Sequence, residues 1–196
     1  MKIAIVFHSV CGNDHLVAKK FCDELQRLGA GASLYRVHDP SWKEMPDLSS
    51  AVRDNLRAMR ALPEATPQAL LDADLVIMGS PTYFGNVSAP MKTFMDSTGG
   101  LWVKGQLEGK MFAAFTSAGN PEGGGDLCLQ ALHTYAKYMG MLSVPLPVTA
   151  VAGVNTPALG VIHYSAGKYA EILDQGTARL ISAFSSFLRR CYGSAH

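Results

Sequence analysis

The chain has 196 residues, 48% of them hydrophobic and 17% charged, with a formal net charge of +1. The charged fraction lies below the ~25% usual for soluble domains and mean hydropathy is slightly positive at +0.10, which argues against disorder and predicts a sizeable core or a subunit interface. Basic and acidic groups number 10 and 11 in residues 1–98 and 7 and 5 in residues 99–196, so no basic stripe is present and a nucleic-acid binder is disfavoured.

A chain of this length fits one domain spanning 1–196 better than two. The opening apolar run stops at His8, too early for the core of a signal peptide. No apolar stretch approaches the ~20 residues of a membrane span. Cys11, Cys22, Cys128 and Cys191 form no C-x-x-C pair, and the histidines show no H-x-x-x-H spacing, so metal-site signatures are missing. Free thiols of this kind suit a reducing cytoplasm. The expectation is a cytoplasmic protein without a membrane anchor or a metal.

Taken in order, Ile3–Phe7 is apolar on both faces, as in a buried parallel strand. From Asn13 the pattern becomes helical, with Val17, Phe21, Leu25 and Leu28 on one face and Gly29 as the stop. Ala32–Arg36 reads as a second strand, and a helix is expected around Leu48–Leu62. Asp74–Gly79 is a third strand, and Ala89–Ser97 a helix with Pro90 in its first turn. Met111–Thr116 is a fourth strand and Asp126–Tyr138 a helix. Leu142–Val151 contains a fifth strand whose Pro145 and Pro147 suit an edge. A last helix carries Leu173, Leu180, Phe184 and Phe187, with Gly176 allowing close approach. Alternating strands and helices predict a doubly wound α/β domain, its parallel sheet covered on both faces.

Ligands in such sheets bind beyond the carboxyl ends of the strands, which directs attention to three loops. His8-Ser9-Val10-Cys11-Gly12-Asn13-Asp14-His15 leads straight into a helix, whose N-terminal amides suit an anion. Asp14 would repel a phosphate if it pointed inward, and His15 could offset that. Gly79-Ser80-Pro81-Thr82-Tyr83-Phe84-Gly85-Asn86 and Thr116-Ser117-Ala118-Gly119-Asn120 through Gly125 are rich in glycine and hydroxyls. With two aromatics they suit a planar heteroaromatic ring, although any loop uses such residues. The dinucleotide and nucleotide glycine fingerprints are missing.

The stretch Ala65 to Asn86, followed by Met91 to Trp102, closely resembles the flavodoxin-like NAD(P)H:quinone oxidoreductases first called tryptophan-repressor-binding proteins. P-T-x-F-G-N followed by T-G-G-L-W is the specific signature, and the match continues through Thr116-Ser117, His133 and Gly140-Met141. The resemblance implies a flavodoxin-like, five-stranded sheet of order 2-1-3-4-5. It implies FMN, with the phosphate on Ser9, Cys11, Gly12 and Asn13. The ring would lie against Pro81, Thr82, Tyr83, Phe84, Gly85 and Asn86, with contacts from Thr116, Ser117, Asn120 and Gly124. It places Tyr83, Trp102 and His133 on the substrate side and NAD(P)H and a quinone as substrates. The sequence departs from the family pattern at Tyr83, in the Ala118–Glu122 loop and between Val151 and Gly167.

Without the resemblance, His133 would be a packing or capping histidine and Trp102 a surface or interface aromatic. A phosphatase is disfavoured because no Arg follows Cys11 in residues 12–18, a receiver domain because no Asp ends strand three, and a hydrolase because no G-x-S-x-G is present. The expected activity is two-electron transfer from NAD(P)H to a quinone by ping-pong turnover, with an FMN-dependent one-electron carrier or a non-catalytic FMN-binding protein as alternatives. A carrier usually shows an acidic surface, which a net charge of +1 does not provide. Low charge and nine methionines also predict a homodimer or homotetramer.

Overall fold

The computed structural model describes residues 1–43, 49–151, 158–168 and 172–193. Strands β1 (Lys2–Phe7), β2 (Gly31–Arg36), β3 (Leu75–Pro81) and β4 (Met111–Ala118) are parallel and run in the order β2-β1-β3-β4. Helices α1 (Asn13–Arg27) and α7 (Gln175–Gly193) cover one face. On the other lie α4 (Ala89–Ser97), α5 (Gly99–Val103) and α6 (Gly125–Tyr138), while α2 (Ser50–Arg60) and α3 (Pro67–Leu71) fall between β2 and β3.

Period-two alternation along the strands builds two cores. Ile3, Ile5 and Phe7 of β1 face the side of α1 and α7, where Phe21, Leu25 and Phe184 are buried. Ala4 and Val6 face Met91, Phe94, Leu129 and Leu132 on the other side. Phe115 of β4 joins the first cluster, its ring 5.7 Å from that of Phe21, and Phe21 stands 6.2 Å from Phe184. Both helices are thereby fixed to the same point of the sheet.

The expected fifth strand is present but divided. Only Leu142–Ser143 (β5) pairs with β4 at its start, opposite Met111 and Phe112. Val161–Tyr164 (β6) then resumes the same edge, opposite Phe115 to Ala118. Pro145 and Pro147 follow at once after β5 and can donate no ladder hydrogen bond, so pairing stops there. The sheet has six strands by count, with the 2-1-3-4-5 order intact.

Other differences are local. The helix expected around Leu48–Leu62 spans Ser50–Arg60, and Leu48 lies outside the described residues. Leu173 precedes α7, and Gly176 sits in its first turn near Asp174 instead of at a helix crossing. Among the described residues no helix is long and apolar enough to cross a membrane.

Gly79 is the tightest point of the sheet. A Cβ there would lie 2.0 Å from ring atoms of the buried Phe115. Where space exists, Gly→Ala stabilises by about 0.4–1 kcal/mol. Gly79→Ala should instead cost about 1–3 kcal/mol, as overpacking does, and urea denaturation of the two chains gives the sign directly.

Candidate functional site

The strand order reverses between β1 and β3, so the chain leaves their carboxyl ends in opposite directions and a crevice opens there. Phe7 pairs with Gly79 in register, and the His8 amide donates to the Gly79 carbonyl (3.0 Å), which brings the two exits together. Above them lies a crater of about 160 Å³. Of the residues expected from sequence, Ser9, Cys11, Asn13, Pro81, Thr82, Tyr83 and Ser117 line it.

The first loop turns into α1 through Gly12 at φ 107, a left-handed conformation that disfavours any side chain. The Gly12 amide donates to Ser9 Oγ (3.0 Å), so the loop is braced from within. Asn13 is the first helical residue and not the cap. The second loop is a tight hairpin in which Tyr83 and Asn86 exchange both backbone hydrogen bonds at 3.0 Å. Its central residues, Phe84 at φ 53 and Gly85 at φ 70, have the signs of a type I′ turn. Phe84 is thus held in a strained backbone with its ring fully exposed.

The third loop touches the second through glycine: a Cβ on Gly124 would stand 3.0 Å from Gly85 Cα. The Thr82 amide donates to the Ser117 carbonyl (2.8 Å), and the Thr82 and Thr116 hydroxyls are 2.8 Å apart. Thr116 also donates to the Ser80 carbonyl (2.6 Å) and is fully buried. Its hydroxyl ties strands together and does not reach the crater. Gly12, Phe84, Gly85, Asn86, Asn120 and Gly124 shape the surrounding loops without lining the hollow.

Asp14 does point inward. It is buried in the crater wall, with Ser117 Oγ donating to its Oδ2 (2.7 Å) and its Oδ1 left without a partner. Burial pushes its carboxyl up to about 7, against the lowering effect of the Ser117 hydrogen bond. His15 does not offset it: the ring turns away, stacks on Phe7 at 5.7 Å and bonds Asn55 Oδ1 at 2.9 Å. The described crater wall contains no Lys or Arg. Sequence reasoning did not anticipate Ser165 in the wall. The Ser165 amide reaches the Ala118 carbonyl (2.9 Å) only because β6 resumes the edge beside β4.

Two expected catalytic residues are elsewhere. Trp102 sits on α5, 57% exposed, and does not line the crater of its own chain. His133 is buried, its Nε2–H donating to the Leu159 carbonyl (2.5 Å) while Nδ1 accepts from Ser143 Oγ (2.9 Å). Its ring meets Phe112 edge-on at 5.3 Å, near the start of β4 and away from the carboxyl edge. Expected on the substrate side, His133 does not line the crater of its own chain. Both nitrogens pin the segments flanking the interruption of the fifth strand.

Residues 1–156 match the NADPH-dependent FMN reductase family. The chain belongs to that family. It is 37% identical over 145 residues to a protein of Deinococcus radiodurans named NAD(P)H dehydrogenase (quinone), covering 74% of this chain and 72% of that one. A protein of the same name from Geobacter sulfurreducens is 37% identical over 148 residues, covering 75% and 72%. Among solved structures, a flavodoxin, WrbA-like protein from Agrobacterium tumefaciens superposes with a TM-score of 0.65 at 23% identity, covering 97% of this chain and 98% of that one. Oxidised flavodoxin 2 from Bacillus cereus gives a TM-score of 0.63 at 16% identity, with 97% and 99% covered. The fold is flavodoxin-like.

His133→Leu separates the two readings of that residue. Removing the hydrogen bond to the half-buried Leu159 carbonyl should cost about 1–3 kcal/mol of stability, with FMN affinity unchanged, as measured by urea denaturation and flavin fluorescence quenching.

Proposed function

We propose that this protein is an FMN-dependent NAD(P)H:quinone oxidoreductase of the tryptophan-repressor-binding subgroup, a cytoplasmic enzyme with one FMN-binding domain over 1–196 and ping-pong turnover. The observation that carries this reading is the crater lined by Ser9, Asn13, Thr82, Ser117 and Ser165 at the switch point of a chain in the FMN reductase family. The names of its 37%-identical relatives supply the quinone. The residues fit FMN: α1 opens on the crater behind Gly12, no pyrophosphate fingerprint is present, and the buried Asp14 Oδ1 lacks a partner.

In this reading Ser9, Cys11, Gly12 and Asn13 hold the phosphate. Pro81 to Asn86 form the wall for the ring, with Tyr83 as the stacking surface nearest the crater. Ser117, Asn120 and Gly124 border its far side, and Thr116 positions Thr82. When bound, FMN supplies the two-electron chemistry. The chain's part is to orient the two substrates in turn and to exclude water. Exposed Phe84, Trp102 and Val103 support a homodimer or homotetramer in which Trp102 serves a neighbouring site.

Anaerobic mixing of the FMN-loaded protein with NADH and with NADPH tests the function. Rapid loss of oxidised flavin absorbance, restored by benzoquinone, and parallel lines in double-reciprocal plots are expected. Reduction by neither nicotinamide would point to the one-electron carrier.

Asp14 makes cofactor binding depend on pH. Its folded-state pKa is raised to about 7 from 3.8, so the neutral form prevails below about 7 and an uncompensated carboxylate faces the phosphate above it. Lys168 lines the adjoining hollow, which shares Asn13 and Ser165 with the crater, but not the crater itself. Burial raises the Cys11 and Cys128 thiols and lowers His163 on β6 and His15 on α1, so all four stay neutral at neutral pH. FMN affinity should therefore fall as pH rises through 7, approaching about tenfold per pH unit. In Asp14→Asn the dependence should flatten, and affinity at high pH should rise, as read by fluorescence quenching.

A further inference from the structure

On the far side of Tyr83 lies a second hollow of about 780 Å³, within the ~300–1,000 Å³ usual for small-molecule sites. It opens between the end of β1, the connection after β2 and helix α4, and shares Tyr83 and Val10 with the crater. Its walls are largely apolar, formed by Val37, Ala65, Ala89, Pro90 and Phe94. His8 and Asp39 also line it; both are buried, with His8 Nε2 and Asp39 Oδ2 2.9 Å apart.

The charge on this cleft separates the two substrates. Burial lowers the His8 pKa against the opposing pull of Asp39, so the imidazole is neutral at neutral pH. Burial would raise the Asp39 carboxyl, but hydrogen bonds from Ser41 and His8 outweigh it and keep it ionised. The pair therefore carries one negative charge, no Lys or Arg occurs among the described lining residues, and the other histidine there, His38, is paired with Glu64 (3.1 Å). The phosphates of a nicotinamide dinucleotide would meet a buried acid with no counter-charge. An uncharged apolar group meets aliphatic and aromatic walls.

We propose that this cleft seats the apolar substituent of the quinone, and no part of NAD(P)H, so that a prenylated acceptor is preferred over bare benzoquinone. The inference rests on the oxidoreductase reading and adds which substrate extends past Tyr83.

Thr93 allows a test without disturbing the core. It lies on the exposed side of α4, lines the cleft, and its hydroxyl donates to the Ala89 carbonyl of its own helix (3.0 Å). With FMN-loaded protein, Thr93→Trp should raise KM for a prenylated naphthoquinone about tenfold, the equivalent of about two buried methylenes. KM for benzoquinone and NADH should stay unchanged, and Thr93→Ser should behave as the parent chain. A rise in KM for NADH instead, an equal rise for both quinones, or no preference for the prenylated acceptor in the parent chain would overturn the proposal. Calorimetric titration of the oxidised FMN-loaded protein with the prenylated quinone separates this from failure of the activity itself. Binding that Thr93→Trp weakens about tenfold, without any NAD(P)H-dependent turnover, would reject the oxidoreductase reading and keep the cleft. No binding to the parent chain would reject the cleft.

Discussion

The missing side chain at Gly79 fixes much of what surrounds it. The Phe115 ring lies where a Cβ would be, so β3 and β4 carry a large aromatic at a point where two ordinary side chains would collide. That ring then meets Phe21, and Phe21 meets Phe184, which sets α1 and α7 against the sheet. The position of α1 decides where its first turn falls. Asp14 arrives within hydrogen-bond reach of Ser117, 103 residues later in the chain. The crater is thus a consequence of core packing on one face, transmitted through a single helix.

Most of the fold was legible because its signals are local. Apolar β-branched runs and the spacing of Val17, Phe21 and Leu25 identify buried strands and a covering helix without knowledge of their partners. The divided fifth strand was not legible, because its identity depends on pairing and not on pattern. Leu142–Ser143 is too short for periodicity to show, and Val161–Tyr164 becomes a strand only by docking on Phe115 to Ala118. His133 belongs to the same problem. Its partners, Ser143 and Leu159, lie on either side of the interruption, so no spacing within its own helix could reveal that its role is to join them.

The site was legible by residue type and less so by role. Hydroxyls at Thr82 and Thr116 look like ligand donors in sequence, yet they bond to each other and to the Ser80 carbonyl. Backbone groups of closely approaching strands need partners first, and side chains nearby satisfy them. Ser117, which lines the crater, sits only one position from the buried Thr116, and alternation along the extended β4 separates the two. The inward direction of Asp14 carries no sequence signal at all, since it depends on the register between α1 and β4.

Both hollows share an electrostatic feature: each contains a buried acid, and neither described wall contains a lysine or arginine. The acids nevertheless behave differently. At Asp14 desolvation outweighs the hydrogen bonds that lower its carboxyl, whereas at Asp39 the hydrogen bonds from Ser41 and His8 outweigh burial and keep the group ionised. The Asp14 carboxyl can therefore give up its charge to admit an anion, and the Asp39 carboxylate cannot. One strand exit, Phe7 to Asp14, separates the hollow proposed for the phosphate group from the one proposed to exclude it. In such an arrangement the balance of burial against hydrogen bonding sets the charge that each side of Tyr83 presents to a ligand.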